Sequence, residues 1–472
     1  MGVVQVIIVV QLDDVIRSAG SSPRAQLGVW HLHQDSVGIH VCIMSVCRKA
    51  LQKKPSDVVL ITALRTPIAR SFKGSFKDAY PEELLGLALS ATRQQLEGLG
   101  LQAEKVHDIC TGNVLMELGG SNVGRLAALH AGFPYQTAFR TVNRQCSSSL
   151  QALTDIAATI QSGAIDCGIA AGTESMTRNY GSRAIPTDLS PRLRESPVKE
   201  ARDCVLPMGL TSEAVATEYN ISRKAQDQFA LSSHVKAQAA IEGGLFKDEI
   251  VPVEVDYTQE DGKTVKKTVT RDEGIRVGLT LEKLASLKPA FKPDGFSTAG
   301  NSSQISDGAS AITLMRRSMA DQLGLKPLAK FVGSNVVGVP PHIMGVGPAF
   351  STPVLLERFG LTVRDVDLFE LNEAFASQAL MTIEHLKLDI SKVNPKGGAI
   401  ALGHPLGATG ARLVCSLVHE LRRTGKEVGP LRLPSLIVPS LGSYSGLSFH
   451  LSVCILIDLQ SRRSEQEPQA DR

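Results

Sequence analysis

The chain has 472 residues, 43% of them hydrophobic, which suffices for two or three domains and a sizeable core. Its 50 basic and 47 acidic side chains nearly cancel, so no global field draws it to nucleic acid or to an anionic membrane. The 8 cysteines (Cys42, Cys47, Cys110, Cys146, Cys167, Cys204, Cys415 and Cys454) form no Cys-x-x-Cys pair and no short Cys/His cluster, which argues against a disulfide framework and against a structural metal site.

The apolar run from Val6 to Val10 is too short to span a bilayer and lacks the leading positive charge of a secretory signal, so no membrane span is expected. Val6 stands where a myristoylation signal wants Ser or Thr. Residues 1–55, which hold the only tryptophan, Trp30, read as an N-terminal extension. From Ser56 onward, β-branched runs alternate with Ala/Leu/Gln-rich stretches, the pattern of sheets covered by helices. Val58 to Ala63 reads as a buried strand, "EELLGLALSATRQQLEGLG" as a helix, and "HDICTGNVL" and "AIDCGIAAGTESM" as further strands. Residues 179–302 turn polar, with prolines and charges, and read as an inserted, solvent-rich region. Alternation resumes in "SDGASAITLMRRS", "VRDVDLFELNEAFASQALMTIEHL" and "NPKGGAIALGHPLGATGARLVCSLVHELRRTGKEVG", so the second half repeats the plan of the first.

The correspondence is closest at two helices. Leu150, Leu153, Ile156 and Ile160 share one helical face after Cys146, and Leu413, Val414, Leu417, Val418 and Leu421 do the same after "GHPLGATGA". Gly163 and Gly425 stand where C-terminal caps want glycine. In a pseudo-symmetric pair of sheets, the two helix starts face each other. Cys146, just ahead of its helix, is either a small buried residue or a nucleophile whose thiolate the helix N-terminus favours. Cys110 and Cys167 lie in apolar strand runs and read as structural. His404 stands among Gly397, Gly398, Gly403, Gly407 and Gly410, which leave backbone bare for close approach to a ligand, and no nucleotide-loop pattern is present. Asn372 and Glu373 follow the run "VDLFEL", at the strand end where α/β folds place their sites.

In order along residues 56–429, "RTPIARSFKGSF", "NRQCSSSLQA", "AAGTESMT", "PMGLTSEAVA", "DEGIR", "LKPAF", "TAGNSSQISDGA", "IMGVGPAF", "NEAFASQA" and "GGAIALGHPLGATGAR" resemble the thiolase family, specifically its 3-ketoacyl-CoA thiolases and most closely the peroxisomal branch. The resemblance implies an α/β fold of two pseudo-repeated, layered α/β/α/β/α domains with an inserted loop domain. On this chain it implies an N-terminal domain at 56–178 and 303–324, a loop domain at 179–302, a C-terminal domain at 325–438 and a divergent tail at 439–472. It further implies that Cys146 accepts the acyl group, that His404 acts as its base, and that Asn372 helps His404 hold an oxyanion. Arg276 of "DEGIR" and Ser303 of "TAGNSS" match positions that contact coenzyme A. Coenzyme A and 3-ketoacyl-CoA would be substrates, with no metal and no separate cofactor, and the expected assembly is a homodimer. A peroxisomal location is expected, with mitochondrial or cytosolic as alternatives; "RAQLGVWHL" approximates an N-terminal peroxisomal address.

Thiolases carry a second cysteine in a Cys-x-Gly motif beyond the histidine's helix. No such motif follows Gly429 here, and the remaining cysteine, Cys454, is followed by bulky residues. Degradative cleavage is therefore the leading expectation. The alternatives are the biosynthetic condensation of acetyl-CoA, and a catalytically impaired protein of the same fold that binds acyl-CoA.

Overall fold

The computed structural model describes residues 52–180, 188–424, 435–442 and 449–456. The extension with its address-like stretch, Gly425, Gly429 and residues 457–472 of the tail lie outside the described residues. In chain order, the first half contributes strand β1 (Val58–Arg65), helices α1 (Pro81–Gly98) and α2 (Ser121–His130), and strands β2 (Asp108–Gly112) and β3 (Ala138–Val142). Helix α3 (Ser148–Gln161) and strand β4 (Cys167–Ser175) follow. The inserted region holds helices α4 (Met208–Glu218) and α5 (Arg223–Glu242) and a separate hairpin of β5 (Val253–Thr258) and β6 (Thr264–Val269). Strands β7 (Ser306–Arg316), β8 (Ala329–Gly338) and β9 (Val366–Phe369), helices α6 (Gly347–Arg358), α7 (Ala376–Leu386) and α8 (Thr409–Thr424), and strands β10 (Ser435–Gly442) and β11 (Phe449–Leu456) complete the chain.

The two halves have the same topology. From β1 outward the order is β1-β7-β4-β2-β3, with the first two pairings antiparallel and the last two parallel. From β8 outward it is β8-β11-β10-β9, antiparallel twice and then parallel, and a parallel bridge from Phe369 to Val393 takes the place of the fifth strand. The halves are not separate sheets: β1 and β8 pair antiparallel over Val58–Leu60, joining them into one continuous sheet.

Helices α3 and α8 are the matched pair. They occupy one apolar cluster with residues of β1, β7 and β9, where Leu150, Leu153, Ile156, Leu413, Leu417 and Leu421 are buried. A second cluster covers the opposite face of the first half with α1 and α2, and a third packs α7 and the end of α6 on β9. This makes five layers, with α3 and α8 in the middle. Thr409 to Val418 of α8 are buried without a break, as a helix sandwiched between layers must be. Gly163, at φ +85, ends α3 with its N–H on the Ile160 carbonyl at 3.1 Å.

The insertion is more than a solvent-rich region. Buried Ser233, His234 and Ala237 bring α5 against residues 397–402 and Glu373. Its charged stretch also forms the β5–β6 hairpin, turning at Gly262 with φ +82.

Candidate active site

Cys146 is presented by a strained turn. Gln145, directly before it, has φ +51, a conformation that costs a side-chain-bearing residue about 1–2 kcal/mol. The Asn143 side chain holds it there by accepting the Gln145 N–H at 2.9 Å. The chain then enters α3 through Ser147, whose N–H donates to the Arg144 carbonyl at 3.0 Å. Cys146 itself is 0% exposed, in a small apolar cluster with Leu115, Met176 and Leu406 and with part of Met208 from the insertion. Leu406 lies two residues after His404, so the loop that carries the histidine packs against Cys146.

The glycines around His404 let protein backbones touch. A Cβ on Gly410 would lie 2.7 Å from the Leu150 amide nitrogen, and one on Gly407 would lie 2.5 Å from the Asn113 Cα. That contact seats the start of α8 on the start of α3. Ser149 Oγ reinforces it by accepting the Ala411 N–H at 2.9 Å. Buried Glu174 at the end of β4 accepts N–H groups from Val114, Leu115 and Gly407, tying the loop after β2 to the histidine loop, and burial raises its carboxyl to about 7 against those hydrogen bonds.

His404 is 4% exposed and fully partnered. Its Nδ1 lies 2.7 Å from Thr409 Oγ1, and its Nε2 lies 3.4 Å from Asn372 Nδ2. An amide nitrogen only donates, so Nε2 is the acceptor and Nδ1 carries the proton to Thr409. Burial, and next the charge of Arg412, push the imidazole down to about 3, so it stands neutral at physiological pH with a lone pair available. Asn372 comes from the loop after β9, and its Oδ1 is buried with no partner among the described residues. Its neighbour Glu373 is structural: its carboxylate takes hydrogen bonds from Ser233, Asn394 and the Ile400 N–H.

Ser303 joins the same place through its N–H, which donates to the Ala374 carbonyl at 2.9 Å. Gln304 links it to the rest. Its Nε2 donates to the Gly274 carbonyl at 2.6 Å and the Ile400 carbonyl at 3.3 Å, while its own carbonyl accepts the His404 N–H at 3.2 Å. Arg276, on the Gly274 strip, is half-buried and donates its backbone N–H to His234 Nδ1 at 3.2 Å. Burial, and next Arg276, lower His234 to about 4. His404, Asn372 and Ser303 are thus linked by hydrogen bonds, Arg276 lies two residues beyond the Gly274 carbonyl that Gln304 holds, and Leu406 brings the histidine loop against Cys146. Thr409, Gln304 and Gln145 are site residues that motif reasoning missed. Only Thr409, at the threonine start of a helix, carried a local signal.

Among the described residues no group of three or more His, Cys, Asp or Glu side chains is placed to hold a metal ion, and no helix is long and apolar enough to cross a membrane. The family model "Thiolase, N-terminal domain" matches residues 58–318 and "Thiolase, C-terminal domain" matches 325–433. The peroxisomal 3-ketoacyl-CoA thiolase of Yarrowia lipolytica is 50% identical over 377 residues, covering 80% of this chain and 90% of that relative. The human peroxisomal 3-ketoacyl-CoA thiolase is 51% identical over 378 residues, 80% of this chain and 88% of its own. The dimeric peroxisomal thiolase of Saccharomyces cerevisiae superposes with a TM-score of 0.77 at 42% identity, over 87% of this chain and all (100%) of that one. A second structure from that yeast, described as five layered with two core domains of identical topology, gives a TM-score of 0.69 at 38% identity over 86% of this chain and 100% of that one. The two topologically repeated halves, the histidine loop packed on Cys146 and these matches lead to one conclusion: the chain belongs to the thiolase family.

Proposed function

We propose that this chain acts as a 3-ketoacyl-CoA thiolase of the peroxisome, a homodimer that transfers acyl groups between the Cys146 sulfur and coenzyme A. The neutral His404, held by Thr409 and Asn372 on the loop whose Leu406 packs against Cys146, is the observation that carries the reading. In this mechanism His404 Nε2 takes the Cys146 proton and the thiolate attacks the keto carbon of a 3-ketoacyl-CoA. Asn372 and His404 stabilise the oxyanion on the thioester carbonyl, and the Cys146 N–H serves the second oxyanion. The bond between C2 and C3 breaks, and the enolate of acetyl-CoA takes up a proton and departs. The acyl thioester on Cys146 then passes to the thiol of a second coenzyme A, which gives up its proton. Arg276 and Ser303, at the margin of the pocket, are assigned to coenzyme A contact, and the residue ranges given above for the domains are retained.

The register of the second half bears on the proton steps. Phe369 is level with Ile437 of β10 and Ile437 with Cys454 of β11. Asn372 follows in the loop three residues after Phe369, whereas Cys454 stands within β11, level with the last paired residue of β9. The sequence after Gly429 holds no Cys-x-Gly motif to protonate the enolate and deprotonate coenzyme A.

Mass spectrometry after incubation with a reactive acyl-CoA, beside a cleavage assay, tests the reading. An acyl adduct on Cys146 is expected, with thiolytic cleavage about 10²–10⁴-fold slower than in relatives with a Cys-x-Gly motif. Grafting a segment with that motif after Gly429 should restore the rate. Acylation of other cysteines instead of Cys146 would overturn the assignment.

A further inference from the structure

Next to the residues that hold His404 lies a buried arginine–glutamate pair that the mechanism above does not use. Arg412 of α8 is 1% exposed, and its Nε, Nη1 and Nη2 have no hydrogen-bond partner among the described residues. Glu370, at the end of β9, is 0% exposed, and both its carboxyl oxygens are equally unpartnered. The two approach only to 3.7 Å, Nη1 to Oε2, a charge contact without a hydrogen bond. Arg65 of β1 shows what a well-satisfied buried arginine looks like in this molecule: it has Asp272 at 2.8 Å and 2.9 Å, and Glu249 at 2.8 Å. Leaving Arg412 so poorly answered is costly, because a buried charge without hydrogen bonds recovers little of its lost hydration.

The position of the pair closes a ring. Arg412 stands one helical turn after Thr409, which fixes His404 Nδ1, and Glu370 stands two residues before Asn372, which faces His404 Nε2. We infer that Arg412 is a positioning residue of the acyl-transfer site: its buried charge, facing Glu370 at 3.7 Å, ties the strand end of Asn372 to the helix start of Thr409 and so fixes the imidazole between them. The inference rests on the proposed roles of Cys146 and His404. Among the described residues, Arg412 is the charge that, after burial, lowers the His404 ring, whose polar partners are Thr409 and Asn372. The charges around Arg412 are Glu370 and Glu373 from the strand end, Glu249 after α5 and Arg65 from β1. Burial acts against both members of the pair, lowering Arg412 and raising Glu370 to about 8.

The pH dependence of iodoacetamide labelling at Cys146, read by mass spectrometry in the full chain, tests this beside thermal melting. Removing the Arg412 charge makes an imidazolium easier to form, and an imidazolium stabilises the thiolate. Arg412→Gln should therefore move the acid limb of labelling to lower pH by about one unit, the low end of what one neighbouring charge does. Arg412→Lys, which keeps the charge, should hold the limb within ~0.3 unit of the parent while losing about tenfold in kcat with little change in KM. Where Arg412→Gln does not fold, the double variant Glu370→Gln with Arg412→Met, which leaves no lone buried charge, reads the same limb. A limb unmoved in the charge-free variant, or moved equally by Arg412→Lys, overturns the inference. Failure of the parent chain to label Cys146 ahead of its other cysteines is a different result and overturns the proposed nucleophile instead.

Discussion

His404 shows how a local contact sets a chemical role. The ring has two nitrogens, and Thr409 at 2.7 Å from Nδ1 decides which of them carries the proton. Thr409→Val keeps the shape and deletes the acceptor, leaving a buried N–H unanswered at about 1–3 kcal/mol. We expect kcat/KM to fall about 10–100-fold, as when a histidine loses the partner that fixes its tautomer, with the circular dichroism spectrum unchanged. Steady-state kinetics check this, and an unaltered kcat/KM refutes the Thr409 role. The other buried cysteines bear on selectivity. Burial raises the Cys110 and Cys167 thiols to about 12 and pushes Cys415 up further, so Cys146 has no competitor among them for alkylation.

At the scale of elements, the site depends on how closely α8 sits on α3. Gly410→Ala separates two competing effects. Alanine in place of glycine inside a helix gains about 1 kcal/mol in propensity. Against that, the new Cβ meets the Leu150 amide nitrogen at 2.7 Å, Leu150 Cβ at 2.8 Å and Ser149 Oγ at 3.1 Å, and crowding of this kind costs about 1–3 kcal/mol. None of these atoms is the free end of a long side chain, so the clash should win. The expected result is a lower melting temperature together with reduced kcat, because the shift parts the elements that carry Cys146 and His404. A more stable variant in calorimetry would show that the two helices have slack. The same contact gives the glycine-rich stretch a packing role: bare backbone at Gly410 makes room for another helix.

For the whole molecule, the buried titratable groups pull the pH dependence of stability in opposite directions. His404 at about 3 and His234 at about 4 both lie below the unfolded value near 6.5, so the unfolded chain binds more protons as pH falls, and stability present above 6.5 is lost toward 4. Glu249, lowered to about 2 by Lys396 and Arg65 in spite of burial, acts in the same direction between its unfolded range and pH 2. Glu370 at about 8 and Glu174 at about 7 act oppositely: the folded chain holds their protons where the unfolded chain has released them, so that stability is lost as pH rises from the unfolded carboxyl range through 7 and 8. The two pairs offset each other between about pH 4.5 and 6.5, so the melting temperature should change little there and should fall by about 5 °C as pH rises from 6.5 to 8. A melting temperature that holds steady from pH 6.5 to 8 would show that the two carboxyls are already ionised in the folded chain.

The sequence by itself determined the residues of the chemistry and the repeated plan. Cys146, His404 and Asn372 sit in motifs that carry their own context, and the apolar spacing after Cys146 and after "GHPLGATGA" predicts two matched helices, which are α3 and α8. Local periodicity is a short-range property, and it survives without knowledge of partners. The β5–β6 hairpin was hidden because its alternation, Val253, Val255 and then Val265, Lys267, Val269, is diluted by threonine and lysine in a strongly charged stretch. Only the tertiary structure decided that the two half-sheets fuse through β1 and β8, that Gln304 links Arg276's strip to His404, and that Arg412 meets Glu370. These pairs are separated along the chain by tens to hundreds of residues, so no local pattern can encode them. They exist because buried backbone and charge must find whatever partners the packed layers bring near.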